Sequence, residues 1–106
     1  MAKYLWEVSY TSDGMKGVLK EGGTSRRTMV EKLASNMGGT IESFYFAFGE
    51  NDVYVIAELP GDVDAAALAM TIAATGAVTI KTVTLLTPEQ IDEATKKTVE
   101  YRPPGE

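Results

Sequence analysis

Two stretches of alternating bulky and small or polar residues lie in the middle of the chain, on either side of a turn-forming segment. The first runs from Gly39 to Phe48 and the second from Val53 to Leu59. Both stretches are rich in aromatic and β-branched residues, which fit a pleated and half-buried surface. Between them, Gly49–Asp52 supplies the small and polar residues that favour turns. The pattern predicts a β-hairpin.

One further strand is predicted on each side of this hairpin. Lys3–Tyr10 carries a bulky apolar residue at every second position from Tyr4 to Tyr10, beside a mixed face. Val78–Leu86 is β-branched through most of its length. A sheet with one apolar face and one mixed face is typical of strands that are covered by helices on one side only.

Helical patterns fill the connections between the strands. Thr11–Gly14 offers N-cap side chains for a short helix predicted over Met15–Glu21. Gly22 and Gly23 interrupt this helix, because paired glycines are poor helix interiors. Thr24 is the expected N-cap of the stretch that follows, and Gly38 is expected to end it.

A second connecting helix is predicted after Pro60, with an alanine-rich stripe from Ala65 to Ala73 facing the sheet. Thr87–Gln90 then reads as a capping box with a proline at the first helical position. It predicts a short last helix with Ile91 and Ala94 on its buried side.

The element order is thus β-α-β-β-α-β with a terminal helix. It predicts an α+β, ferredoxin-like βαββαβ fold, a four-stranded antiparallel sheet with two helices on one face plus a short C-terminal helix. Residues 1–98 are expected to form a single domain. Residues 99–106 are expected to form a flexible tail, because Pro103 and Pro104 cannot continue a helix.

Both arms of the hairpin carry bulky residues on both faces. Two helices cover only one face of such a sheet, so the other face needs a partner. The pattern therefore predicts a homodimer in which two sheets pack face to face.

The composition excludes several classes of chemistry. The chain of 106 residues has no cysteine and no histidine, so thiolate catalysis, histidine-based triads and histidine-held metal or haem are impossible within it. No cofactor and no metal site are expected. A net charge of −5 makes the chain poorly suited to nucleic acid.

The location of the protein is also predicted from the sequence. The chain has no run of about 18 apolar residues, which argues against a membrane span. A strand pattern begins almost at the N-terminus and leaves no room for a signal peptide. A cytoplasmic protein without a membrane partner is expected.

Several short motifs together resemble the GYD domain family, over about residues 3 to 96. They are, in chain order, Tyr4-Leu5 with Ser9-Tyr10-Thr11, Gly14-x-Lys16-Gly17, Glu21-Gly22-Gly23-Thr24-x-Arg26-Arg27, Phe48-Gly49-x-x-Asp52-Val53, and Thr75-Gly76-Ala77-Val78 with Leu86-Thr87-Pro88-Glu89. Asn51 stands where the family's namesake tyrosine is expected. The resemblance implies a dimeric α+β barrel, and it implies no particular activity.

Two candidate ligand-binding positions lie outside the strands. Asp52 at the hairpin mouth is a general base or a ligand-orienting group, or it fixes the turn by accepting hydrogen bonds from backbone amides. Arg26, with Arg27, follows a glycine-rich helix start and suits an anion such as a carboxylate or phosphate. The alternative for these arginines is an ion pair with Glu21 or Glu31.

The other candidates are polar residues on the predicted strands, and they are expected to point into a cavity between the sheet and a partner. The ones assigned to ligand binding are Ser9, Tyr45, Tyr54 and Lys81, and Glu7 and Glu58 share their placement. The alternative is that they face solvent or pair across strands.

Two functions are compatible with these features. The first is a homodimeric small-ligand-binding or assembly module. The second is a cofactor-independent oxygenase or isomerase that acts on a small organic or aromatic substrate. The missing histidine and the lack of a matched acid–base pair favour the first.

Overall fold

The structure is a computed structural model that describes residues 1–106, and it consists of one sheet and four helices. In chain order, the elements are β1 (Ala2–Tyr10), α1 (Ser12–Glu21), α2 (Gly23–Asn36), β2 (Thr40–Phe46), β3 (Val53–Leu59), α3 (Asp62–Ala73), β4 (Val78–Leu85) and α4 (Pro88–Thr95).

The strands are arranged in the order β2-β3-β1-β4, and every neighbouring pair is antiparallel. Strands β1 and β2 are therefore parallel with β3 between them, and β3 and β4 are parallel with β1 between them. Each β-α-β unit is thus split by one strand of the other unit, which is the ferredoxin-like arrangement. This confirms the predicted α+β fold.

The first connection contains two helices, α1 and α2, and the chain is interrupted near Gly22 as predicted, whereas the ferredoxin-like pattern has one helix there. Helix α1 ends at Gly22, whose φ of 87° lies in the left-handed region that glycine adopts most easily. Thr11 caps α1 by accepting a hydrogen bond from the Gly14 amide at 3.2 Å, as predicted. The prediction of Thr24 as the cap of α2 is wrong, because α2 already begins at Gly23.

A β-bulge in β2 changes which residues share a face. The register shifts between Ile41 and Ser43, so Glu42 is the extra residue. Ile41 therefore lies opposite Ala57 on the helix side of the sheet, while Tyr45 lies opposite Tyr54 on the other side. Regular alternation along β2 would place Ile41 and Tyr45 on the same face, and the bulge separates them.

The core lies between the sheet and helices α2 and α3. Its largest fully buried side chains are Trp6, Tyr4, Leu59 and Val53. Ala34 of α2 and Ala65 of α3 are buried against them, and the small alanine side chain allows each helix to approach the sheet closely. Each large apolar side chain contributes about 1.5–3 kcal/mol on burial. The opposite face of the sheet has no helix on it.

Helix α4 has the predicted capping box but not the predicted packing. The Thr87 hydroxyl accepts from the Gln90 amide at 3.2 Å, and the Gln90 side chain accepts from the Thr87 amide at 2.8 Å. Every residue of α4 is exposed, including Ile91 at 47%. The expected buried side at Ile91 and Ala94 is therefore wrong within one chain, because α4 makes no extensive contact with another element.

No helix in the structure is both long enough and apolar enough to cross a membrane. The last residues, 96–106, form no helix or strand. The boundary between domain and tail at residue 98 stays a prediction.

A partly buried hydrogen bond joins β1 to the start of α3. The Tyr4 hydroxyl donates to Asp62 Oδ1 at 2.6 Å. This hydrogen bond and the burial of the ring raise the pKa of Tyr4 from its ordinary value of 10.0 to about 12. The phenol therefore stabilises the folded chain only while it keeps its proton.

The Tyr4→Phe variant is expected to lose about 1.5–2 kcal/mol of unfolding free energy at neutral pH, since it loses a hydrogen bond to a charged acceptor. The pKa is raised on folding, so this stabilisation is complete below pH 10 and is lost as the pH rises through about 12. Urea unfolding at neutral and alkaline pH measures the difference. Tyr101→Phe, in the exposed tail, is the matched control. A difference between Tyr4→Phe and the wild type that stays constant up to pH 12 contradicts the assignment.

Candidate functional site

The sheet face that lies opposite the helices is called here the open face, and three rows of side chains cross it from strand to strand. The first row is polar and contains three of the predicted site residues. Its members, from β2 to β4, are Tyr45, Tyr54, Glu7 and Lys81. Cross-strand neighbours of this kind lie close enough to interact, so the row places two phenols, a carboxylate and an ammonium group side by side.

The second row is the apolar row, and it lies in the middle of the open face. Its apolar members are Ile56, Leu5 and Val83, and Ser43 completes it at the β2 edge. Val83 keeps 40% of its surface exposed, and Ile56 and Leu5 are half-buried by their neighbours on the sheet. No element of the chain covers the apolar row.

The third row is charged. Lys3 Nζ lies 2.9 Å from Glu42 Oε1 and 2.9 Å from Glu58 Oε1. Two hydrogen bonds raise the pKa of Lys3, and the one to Glu42 has a larger effect than the one to Glu58. The hydrogen bond from Lys3 in turn lowers the pKa of Glu58. Both shifts favour the charged forms of Lys3 and Glu58. The apolar row lies between this charged row and the polar row.

Asn51 connects two of the predicted site residues. The Ser9 hydroxyl donates to Asn51 Oδ1 at 3.2 Å, and Asn51 Nδ2 donates to the Tyr54 hydroxyl at 3.3 Å. Asn51 is 8% exposed and is the one buried polar side chain in the molecule. This role could not be predicted from the sequence, because a polar residue in a predicted turn carries no signal of burial. The amide orients both hydroxyl groups at one end of the open face.

Asp52 fixes the hairpin to β1. Its carboxylate accepts from the Tyr10 amide at 2.8 Å, and its own amide donates to the Val8 carbonyl at 2.8 Å. These bonds fit the turn-fixing role. A ligand-binding role for Asp52 stays a prediction.

Arg26 lies on the other side of the sheet, in the first turn of α2. Its Nη1 is 3.9 Å from Glu21 Oε1, so the predicted ion pair with Glu21 is formed only at long range. Its Nε is buried and has no hydrogen-bond partner. Arg27, in contrast, is exposed.

The six predicted site residues therefore do not form a single site. Tyr45, Tyr54 and Lys81 share the polar row, and Ser9 joins them through Asn51. Asp52 lies at the hairpin end, and Arg26 lies on the helix side. No three acidic side chains lie close enough to hold a metal ion.

Comparison with known proteins identifies the family to which the chain belongs. No curated protein and no solved structure shows significant similarity to the chain. The model of the GYD domain matches residues 4–95, which extend from β1 to the end of α4. The match thus includes every strand and every helix of the fold, and the chain belongs to the GYD domain family.

Proposed function

We propose that the protein is a homodimeric module that binds a small ligand and whose two copies pack open face against open face. The observation that carries this proposal is the uncovered apolar row at the centre of the open face. Three aliphatic side chains on three adjacent strands form a continuous apolar strip, and water on that strip is released when a second copy covers it.

The arrangement of the rows suits self-association. A two-fold axis through the apolar row places that row against its own copy, so one surface serves both partners. The polar and charged rows then lie on either side of the apolar contact, as the rim of a protein interface does. The charged row stays near solvent in this arrangement, so its groups lose little hydration when the two copies associate.

The polar row provides the ligand-binding part of the proposal. Tyr45, Tyr54 and Lys81 stand beside the apolar row, and a second sheet packed above them encloses the space that they border. Hydroxyl and ammonium groups around an apolar floor suit a small organic molecule with hydrogen-bonding oxygens. Ser9 and Asn51 hold Tyr54 at the end of that space.

The same row is the observation that favours the second candidate, a cofactor-independent oxygenase or isomerase. Glu7 lies in register between Tyr54 and Lys81, so a carboxylate base is placed beside two proton donors. Binding is the better supported function, because it requires only the surface and no proton-transfer geometry. Cytoplasmic location remains part of the proposal.

Native mass spectrometry of protein purified gently from its cells tests the proposal. The expected result is a species of about twice the chain mass of 11.4 kDa, with a defined extra mass for the retained ligand. A dimer without extra mass supports the assembly part and contradicts a tightly held ligand. A single chain at micromolar concentration contradicts the dimer.

A further inference from the structure

A small cavity lies on the helix side of the sheet and is separate from the open face. Its volume is about 40 Å³, and its lining is apolar except for Arg26. All four strands and helices α2 and α3 contribute residues to this lining. Two of its lining residues have a buried N–H group with no hydrogen-bond partner, namely Trp6 at Nε1 and Arg26 at Nε. Trp6 is 1% exposed, so solvent does not reach its indole nitrogen.

Such unpartnered donors are rare in folded proteins. More than nine in ten buried polar groups have a partner, because a buried donor without one keeps the full cost of its desolvation. Here the two residues that carry such donors, Trp6 and Arg26, both line one cavity. A guest that accepts hydrogen bonds satisfies both.

The positive charge of Arg26 indicates the charge of the ligand that the cavity would bind. The guanidinium is always protonated, and its nearest carboxylate, Glu21, is 3.9 Å from Nη1. Its Nε–H therefore provides a charged donor in an apolar surrounding, where a negative acceptor binds most strongly. The cavity thus favours an anion over a neutral molecule.

The volume of the cavity limits the size of the guest. A water molecule needs about 10–15 Å³ by this measure, so about 40 Å³ holds only a few heavy atoms. A carboxylate with a short alkyl group has this size, and its alkyl end matches lining side chains such as Val30 and Ile72.

We propose that the cavity between the sheet and the helices binds a short-chain carboxylate, whose oxygens accept hydrogen bonds from Arg26 and Trp6. Arg26 also borders a surface groove that contains Asp13 and Glu21, so its side chain lies between the cavity and solvent. The site goes beyond the proposed function, because it lies on the opposite face of the sheet from the dimer contact.

The single tryptophan of the chain makes a direct test possible. In an NMR titration with sodium acetate at constant ionic strength, the indole N–H resonance of Trp6 is expected to shift in a saturable way. Acetamide, which has the same shape without the charge, is the control ligand and is expected to bind at least about tenfold more weakly. A resonance that acetate does not shift, or that acetate and acetamide shift equally, overturns the proposal.

Two matched variants locate the binding. Arg26→Met is expected to weaken acetate binding at least about tenfold, because it removes a charged donor. Arg27→Met removes the exposed neighbour and is expected to leave binding unchanged. Equal acetate binding by both variants overturns the role of Arg26. The acetate and acetamide comparison on the wild type needs no variant to fold, and it is independent of the subunit number.

Discussion

Replacing Gly14 with alanine is expected to destabilise the folded chain by about 2–3 kcal/mol, the upper part of the range for overpacked sites. A Cβ atom at Gly14 would lie 2.0 Å from the Ala77 carbonyl oxygen and 2.9 Å from its carbon. Backbone atoms cannot turn aside as the end of a side chain does. The Thr11 amide holds that carbonyl with a hydrogen bond of 2.9 Å, so relief of the clash requires α1 to move away from the α3–β4 connection.

Gly17 provides the matched control, because it lies in the same helix with no atom within 4 Å of the equivalent Cβ position. Gly17→Ala is expected to stabilise the chain by about 0.5–1 kcal/mol through helix propensity alone. Urea unfolding of both variants measures the two free energies. Effects of the same sign at both positions would show that the contact with Ala77 is not close.

The Val83→Glu variant is expected to weaken the dimer at least about 100-fold, which corresponds to about 2.7 kcal/mol. Val83 belongs to the apolar row, so the proposed contact would bury the new carboxylate without a partner. In the proposed dimer the partner copy carries the same substitution, so one interface would receive two carboxylates. The change therefore acts on the interface twice.

Val63→Glu is the matched control for the dimer variant. Val63 is 83% exposed on α3, which packs on the opposite face of the sheet, and its substitution gives the same net charge. Sedimentation equilibrium over a range of concentrations gives both dissociation constants, and thermal unfolding checks that both variants fold. Equal dissociation constants for the two variants would place the interface elsewhere on the molecule.

Local chemistry explains why most of the fold could be predicted. The capping box at Thr87 and the cap at Thr11 depend on residues within one turn, and both are formed as expected. The alternation in β1 and β3 also survives, since Trp6 and Val55 lie opposite each other in the core. Where side chains within a few positions decide the structure, the sequence is sufficient.

Long-range packing explains what could not be predicted. The bulge at Glu42 depends on how β2 pairs with β3, and simple alternation does not reveal it. The apolar stripe of α4 resembles that of a packed helix, yet none of its residues is buried within the chain. Periodicity reports that a face is apolar, and it does not report what covers that face.

The candidate site also has features that could be predicted from the sequence and features that could not. Strand parity is enough to place Tyr54 and Lys81 on one face. The bridge from Ser9 through Asn51 to Tyr54 joins different parts of the chain, and it becomes visible only in three dimensions. The cavity beside Trp6 is likewise a product of tertiary packing, because residues from six elements surround it.

The central claim is that two copies meet through their open faces, and intermolecular NOEs test it most directly. Dimers are formed from one isotope-labelled and one unlabelled chain, and contacts between the methyl groups of the two copies are recorded. The proposed dimer predicts such contacts among Leu5, Ile56 and Val83. A dimer whose intermolecular contacts arise from other methyl groups, or a sample that remains a single chain, would contradict it.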